Sequence, residues 1–129
     1  MTTRRRHSSG GPWEERFGYS RAVRVGERIS VSGCTSVRDG AVTHAGDPAG
    51  QARASLQTAA EAIEALGGSL DDVVRTRMYV VHRGDAEAVG LVHAEVLGAV
   101  RPAASMVVVA GLISPELLVE IEVEAEVSA

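Results

Sequence analysis

The sequence contains no lysine: all 13 basic residues are arginine. Catalysis through a lysine Schiff base, including the lysine aldimine of pyridoxal enzymes, is therefore excluded, and so is a phosphate-binding loop of the Gly-x-x-x-x-Gly-Lys kind. A single cysteine, Cys34, leaves no internal disulfide and no cysteine-rich zinc site. Aromatics are 3% of the 129 residues, too few for the ring faces on which single-stranded nucleic acid stacks. The formal net charge of -4 makes a poor match to a phosphate backbone. No apolar run reaches the roughly 18 residues of a membrane-spanning helix. The four histidines show no ligand spacing, so neither a metal nor another cofactor is expected.

The first ten residues, with Arg4-Arg5-Arg6-His7-Ser8-Ser9-Gly10, are polar and basic, and no apolar segment follows them. They lack the pattern of a secretory signal and read as a disordered basic tail over 1–10. The remainder, 11–129, reads as one domain, with the cytoplasm as its expected location.

Apolar residues make up 45% of the chain, enough for a core. Tyr19–Val25 and Arg28–Ser32 flank Gly26-Glu27 and predict a hairpin, with Gly33 closing the second strand. Asp39-Gly40 is a second turn signal, with a small edge strand at Ala41–Thr43. Asp47-Pro48 opens a helix in which Ala52, Leu56, Ala59, Ala60, Ile63 and Leu66 fall at helical spacing, until Gly67-Gly68 stops it. A strand over Val73–Val81, a second helix over Asp85–Leu97, a short buried strand over Ser105–Ala110 and a long strand over Leu118–Val127 follow. The order β-β-(β)-α-β-α-β-β, two helices on one sheet, is an α+β arrangement.

The last strand is the most informative. Val119, Ile121, Val123, Ala125 and Val127 alternate with Glu120, Glu122, Glu124 and Glu126, so the carboxylates share one face. On the strand over Val73–Val81, Arg75, Arg77 and Tyr79 share one face, and Val74, Thr76, Met78 and Val80 the other. Arginine–carboxylate pairs across neighbouring strands would offset the repulsion between the glutamates, whereas a solvated face is the plainer reading. Cys34 reads as a small buried residue rather than a nucleophile, although His44, His82 and His93 could serve as bases. Ser20, Ser32 and Ser105 lie near strand ends with no Gly-x-Ser-x-Gly elbow around them.

Between Pro12 and Val127 the chain resembles the RidA/YjgF family of reactive-intermediate deaminases. The likeness is carried by Gly18-Tyr19-Ser20-Arg21-Ala22-Val23, Ile29-Ser30-Val31-Ser32-Gly33, Gln51-Ala52-Arg53, Leu70 to Thr76, and Arg101-Pro102-Ala103 through Met106–Ala110 to Val119-Glu120-Ile121-Glu122. The resemblance implies a chorismate-mutase-like fold and a homotrimer with small-molecule clefts between subunits. It also implies hydrolysis of imines or enamines formed from amino acids to a 2-keto acid and ammonia, with no cofactor or metal. By the same resemblance Glu120 positions the attacking water, Tyr19 touches the ligand, and Ser32, Gly33, Ser105 and Met106 lie beside it. Where the family carries a carboxylate-binding arginine, after Pro102-Ala103, this chain has Ala104, and a cleft asparagine is replaced by Gly90. Arg77 and Arg101 are the candidate substitutes for the missing guanidinium. Two other readings stay open: a trimer that binds a small molecule without catalysis, and an endoribonuclease or translation inhibitor, which the acidic charge disfavours. No membrane partner is expected, and a nucleic-acid partner is not favoured.

Overall fold

The computed structural model describes residues 3–128. In chain order the elements are β1 (Arg4–His7), α1 (Pro12–Phe17), β2 (Ala22–Val25), β3 (Arg28–Cys34), β4 (Val37–Arg38), β5 (Ala41–Val42), α2 (Pro48–Ala65), β6 (Val73–Val80), α3 (Ala86–Leu97), β7 (Ala103–Val108) and β8 (Val119–Glu126). Single 3-10 turns at Leu70–Asp72 and Arg83–Asp85 lead into β6 and α3. Six strands form one sheet in the order β1-β2-β3-β8-β6-β7, and β4 and β5 form a separate hairpin. Among the described residues only the β6–β7 pair is parallel, as expected for two strands joined through a crossover helix.

Both long helices pack on one face of the sheet. The Asp47 side chain accepts a hydrogen bond from the Gly50 N–H at 3.0 Å, and Pro48 opens α2. Ala52, Leu56, Ala59 and Ile63 then form a buried stripe against Ile29, Val31, Ile121 and Val123. The alanines let α2 lie close to the sheet, and the larger side chains supply about 1.5–3 kcal/mol each on burial. Val89, Val92 and Leu97 of α3 complete the core. Gln51, fully buried, donates to the carbonyls of His44 (3.2 Å) and Glu116 (3.1 Å) and accepts from the Leu118 N–H (2.8 Å), tying the start of β8 to the start of α2.

Three local expectations need correction, and one element was not anticipated. Residues Arg4–His7 of the expected tail form an edge strand, paired antiparallel with β2 from Arg4↔Val25 to His7↔Ala22. Arg5 and Arg24 both donate to the Leu66 carbonyl, at 2.8 and 2.7 Å, so cations sit at the negative end of α2. Met1 and Thr2 lie outside the described residues. The segment Pro12–Phe17 is helical, its six residues being too few to show a period, and Gly18 ends it in left-handed backbone with φ 75°. On β6 the register with β8 shifts between Val73 and Arg75, so Val73 is 3% exposed and Val74 48%. The bulge moves Val74 off the covered face that alternation assigns it. Finally, β7 is an open edge strand rather than a buried one, with Val107 and Val108 exposed, because one of its sides carries no neighbouring strand.

Candidate functional site

Away from the helices, the sheet presents polar side chains, and one corner of that face becomes a cavity. β3 and β8 pair Val31↔Val123 and then Cys34↔Ile121, so three residues on β3 span two on β8. This bulge brings Gly33 against Glu120. A Cβ at Gly33 would lie 2.6 Å from Glu120 Oε2, so the carboxylate occupies space that only glycine leaves open. Above it, α1 ends with the Gly18 and Tyr19 N–H groups both donating to the Glu14 carbonyl, at 3.0 and 2.9 Å, which delivers Tyr19 to the cavity rim. Tyr19, Arg21, Gly33, Cys34, Ile113 and Glu120 line a space of about 140 Å3, with Trp13 and Thr58 at its borders.

Glu120 is set apart by an offset in the side-chain ladder. Across β6 and β8 the backbone register is Tyr79↔Glu120, Arg77↔Glu122 and Arg75↔Glu124. The side chains reach one pair further along. Tyr79 Oη donates to Glu122 at 2.8 Å and Arg77 Nη1 lies 3.4 Å from Glu124. Glu120 is left with no hydrogen-bonding side chain among the described residues. Burial, and secondarily the charge of Glu122, push its pKa above the ordinary carboxylate value, against a lowering by Arg21. A carboxylate raised in this way is a better proton acceptor than an ordinary one.

Arg21 and Glu14 are the charged residues of the site that sequence reasoning did not assign. Arg21 Nη1 donates to the Gly33 carbonyl at 2.6 Å, and its guanidinium lies 5.7 Å from the Tyr19 ring centre. Its Nε is buried, lies 3.6 Å from Glu14 Oε2 and has no hydrogen-bond partner among the described residues. Glu14 is 4% exposed and accepts from the Ser9 N–H at 3.2 Å and from the Ser9 hydroxyl. Burial works against its charge, but the bonds from Ser9 and Ser8 and the nearby Arg21 prevail and lower its pKa. Position 21 lies within the stretch that carries the family likeness, which was a usable signal. Glu14, in the short charged stretch Glu14-Glu15-Arg16, gave none.

The remaining candidates divide between places. Ser32 lies at the bulge with its hydroxyl donating to the Ser20 carbonyl at 2.7 Å, so it supports the backbone rather than lining the cavity. Ser105 accepts from Arg75 Nη2 at 3.3 Å on β7, two strands from β8 and so about 10 Å across the sheet. Met106 packs against the core, 4.0 Å from where a Cβ on Gly90 would sit. Arg77 is engaged by Glu124, and Arg101 is exposed in left-handed backbone with φ 55°. Within one chain, Ser105, Met106, Arg77 and Arg101 are therefore not brought to the cavity, and the cation that is there is Arg21. Cys34 is 1% exposed; burial foremost pushes its thiol up to about 11 despite Arg21, so it is a protonated packing residue. Among the described residues no cluster of His, Cys, Asp and Glu could hold a metal, and no helix is long and apolar enough to cross a membrane.

The family model described as endoribonuclease L-PSP matches residues 14–127. The chain belongs to this family. A solved structure described as a member of the highly conserved YjgF/YER057c/UK114 family, from Mycobacterium tuberculosis, superposes with a TM-score of 0.88 at 45% identity, covering 97% of this chain and all of that one. An uncharacterised protein of Streptomyces coelicolor is 43% identical over 121 residues, 94% of this chain and 90% of its own. The 3-aminoacrylate deaminase RutC of Acinetobacter baylyi is 34% identical over 110 residues, 84% of this chain and 86% of its own. The resemblance read from Tyr19–Val23, Ile29–Gly33 and Val119–Glu122 is thus to the correct family, and the α+β architecture is that of its solved members.

Proposed function

We propose that this protein hydrolyses a small imine or enamine in the cavity beside Glu120. The carrying observation is the isolation of Glu120: half-buried, unpaired, raised in pKa and next to Tyr19. As a water molecule adds to the C=N carbon, the Glu120 carboxylate takes one of its protons and passes it to the imine nitrogen, giving a carbinolamine. On collapse Glu120 takes the hydroxyl proton and delivers it to the departing nitrogen, so the C–N bond breaks, ammonia or an amine leaves, and a carbonyl compound remains. Tyr19 bounds the ligand. Kinship to a protein named a 3-aminoacrylate deaminase supports this chemistry.

The working form we propose is a homotrimer. The open edge at β7 and the exposed Val107 and Val108 offer surface for a neighbouring copy, and Ser105 and Met106 of that edge would border a Glu120 cavity only across such an interface. Light scattering should report a trimer at micromolar concentration; a stable monomer near 13.5 kDa overturns the assembly. Ala104 has no donor for a substrate carboxylate, a contact worth about 1.5–3 kcal/mol where arginine supplies it. Ammonia release from imines of ordinary amino acids should therefore be slow, rise in Ala104→Arg, and vanish in Glu120→Gln. Full activity in Glu120→Gln removes the assigned role. Ala104 also favours the second reading, binding without turnover. The endoribonuclease named in the family description finds less support, since the open face interleaves glutamates with its arginines instead of presenting a basic surface.

A further inference from the structure

The cavity beside Glu120 has a neighbour across the loop before α1. A larger one of about 460 Å3 lies on the other side of that loop and includes His7, Ser8, Arg38, Asp39 and Glu61 in its lining. Ser9, Gly11, Pro12, Val37 and Thr58 line both spaces. The loop is built rather than incidental. Gly10 turns it in left-handed backbone with φ 77°, and buried Glu14 holds Ser9 through its backbone and its hydroxyl. The outer volume falls in the range of sites for small organic ligands, about 300–1,000 Å3, which the inner one does not reach.

The charges along this path are unevenly matched. Arg21 is engaged by Glu14 and the Gly33 carbonyl in the inner cavity, and Arg38 by Glu61 at 2.9 Å in the outer one. Glu120 and Asp39, one in each cavity, have no ion-pair partner among the described residues. With Ala104 where a carboxylate-binding arginine would stand, both guanidinium groups along the path already face a carboxylate, and His7 is the further basic side chain in the outer lining.

We propose that the two cavities form one elongated site for an uncharged or cationic amine-derived ligand, its nitrogen at Glu120 and a polar tail running past Thr58 to Asp39. This names the ligand class of the Glu120 site and rests on that site binding small nitrogen compounds. It requires no turnover.

Calorimetric titration of the full-length protein with ethanolamine, aminobutanol and aminohexanol, and with aminohexanoate as the anionic counterpart, tests it. Affinity should rise by about tenfold or more from ethanolamine to aminohexanol, and aminohexanoate should bind more weakly than aminohexanol. Thr58→Phe, at the junction, should abolish the rise in affinity from ethanolamine to aminohexanol. Asp39→Arg, at an exposed turn position with φ 51°, should reverse the preference between aminohexanol and aminohexanoate, and Asp39→Asn, which suits that backbone, should abolish it. Equal affinities along the length series, no binding by any probe at millimolar concentration, or no effect of Asp39→Arg on the preference overturns the proposal. Imine hydrolysis is read separately: a protein that binds the series as expected but hydrolyses nothing disproves the catalytic reading alone, and one that hydrolyses imines with a flat length series disproves the elongated site alone.

Discussion

The two faces of the central sheet are made by alternate residues of the same strands and behave differently. On β8, Val119, Ile121 and Val123 are 0–1% exposed under α2, while Glu120, Glu122 and Glu124 stand half-buried on the open side. The covered face is held by many interchangeable apolar contacts. The open face is a ladder of single polar contacts, and an offset of one pair in that ladder decides which carboxylate is unpaired. Stability therefore concentrates on one face and chemistry on the other, and substitutions at adjacent residues should have unlike consequences.

Ile121→Ala should have the largest effect on stability, about 2–5 kcal/mol in a denaturant titration, whereas Glu122→Ala beside it should cost at most about 1 kcal/mol. A similar cost for both would erase the contrast. Glu14→Gln breaks the rule that polar substitutions are mild, because Glu14 is buried against Arg21; about 1–3 kcal/mol should be lost. The pH dependence should then separate the two buried carboxylates. Glu14, lowered in the fold, contributes stability that is present above its ordinary value of 4.5 and lost as pH falls through its lower folded value. Glu120, raised by burial, does the reverse: its ionisation erodes stability as pH rises from 4.5 through its higher folded value. Relative to wild type, Glu120→Gln should gain stability and Glu14→Gln lose it on going from acid to neutral pH, which melting curves across that range would show.

Gly33→Ala sharpens the site side of the comparison. The new methyl group displaces the flexible end of Glu120, so the fold should lose no more than about 1 kcal/mol while hydrolysis falls as far as in Glu120→Gln. Unchanged turnover would show that the carboxylate need not rest on Gly33. The smallest effect is expected at Arg77→Ala. Its 3.4 Å contact with Glu124 is between side chains 41% and 32% exposed, so the change should stay within about 0.5 kcal/mol by thermal melting.

Much of this architecture was legible in the chain. Asp47-Pro48 announced α2, alternation announced β8, and the segments around Tyr19, Gly33 and Glu120 pointed to the family. What escaped reading shares a cause. β1 is a run of arginines whose strand state depends on the free edge of β2, α1 is shorter than two turns, and the shift at Val74 comes from a bulge that only pairing reveals. The cavity's ion pair was equally hidden, since Glu14 and Arg21 are joined by the way α1 folds back over the bulge in β3 and not by spacing.

By itself, then, the sequence determined which residues of β8 and α2 face the core and which face away, because burial of every second strand residue and of one helix stripe follows from backbone periodicity where no bulge or open edge intervenes. Which glutamate is left unpaired, which arginine enters the cavity, and whether the basic start of the chain joins the sheet were decided only by the tertiary structure. Those outcomes depend on strand register, on two bulges and on the reach of individual side chains, and such quantities exist only once strands distant in sequence have been brought side by side.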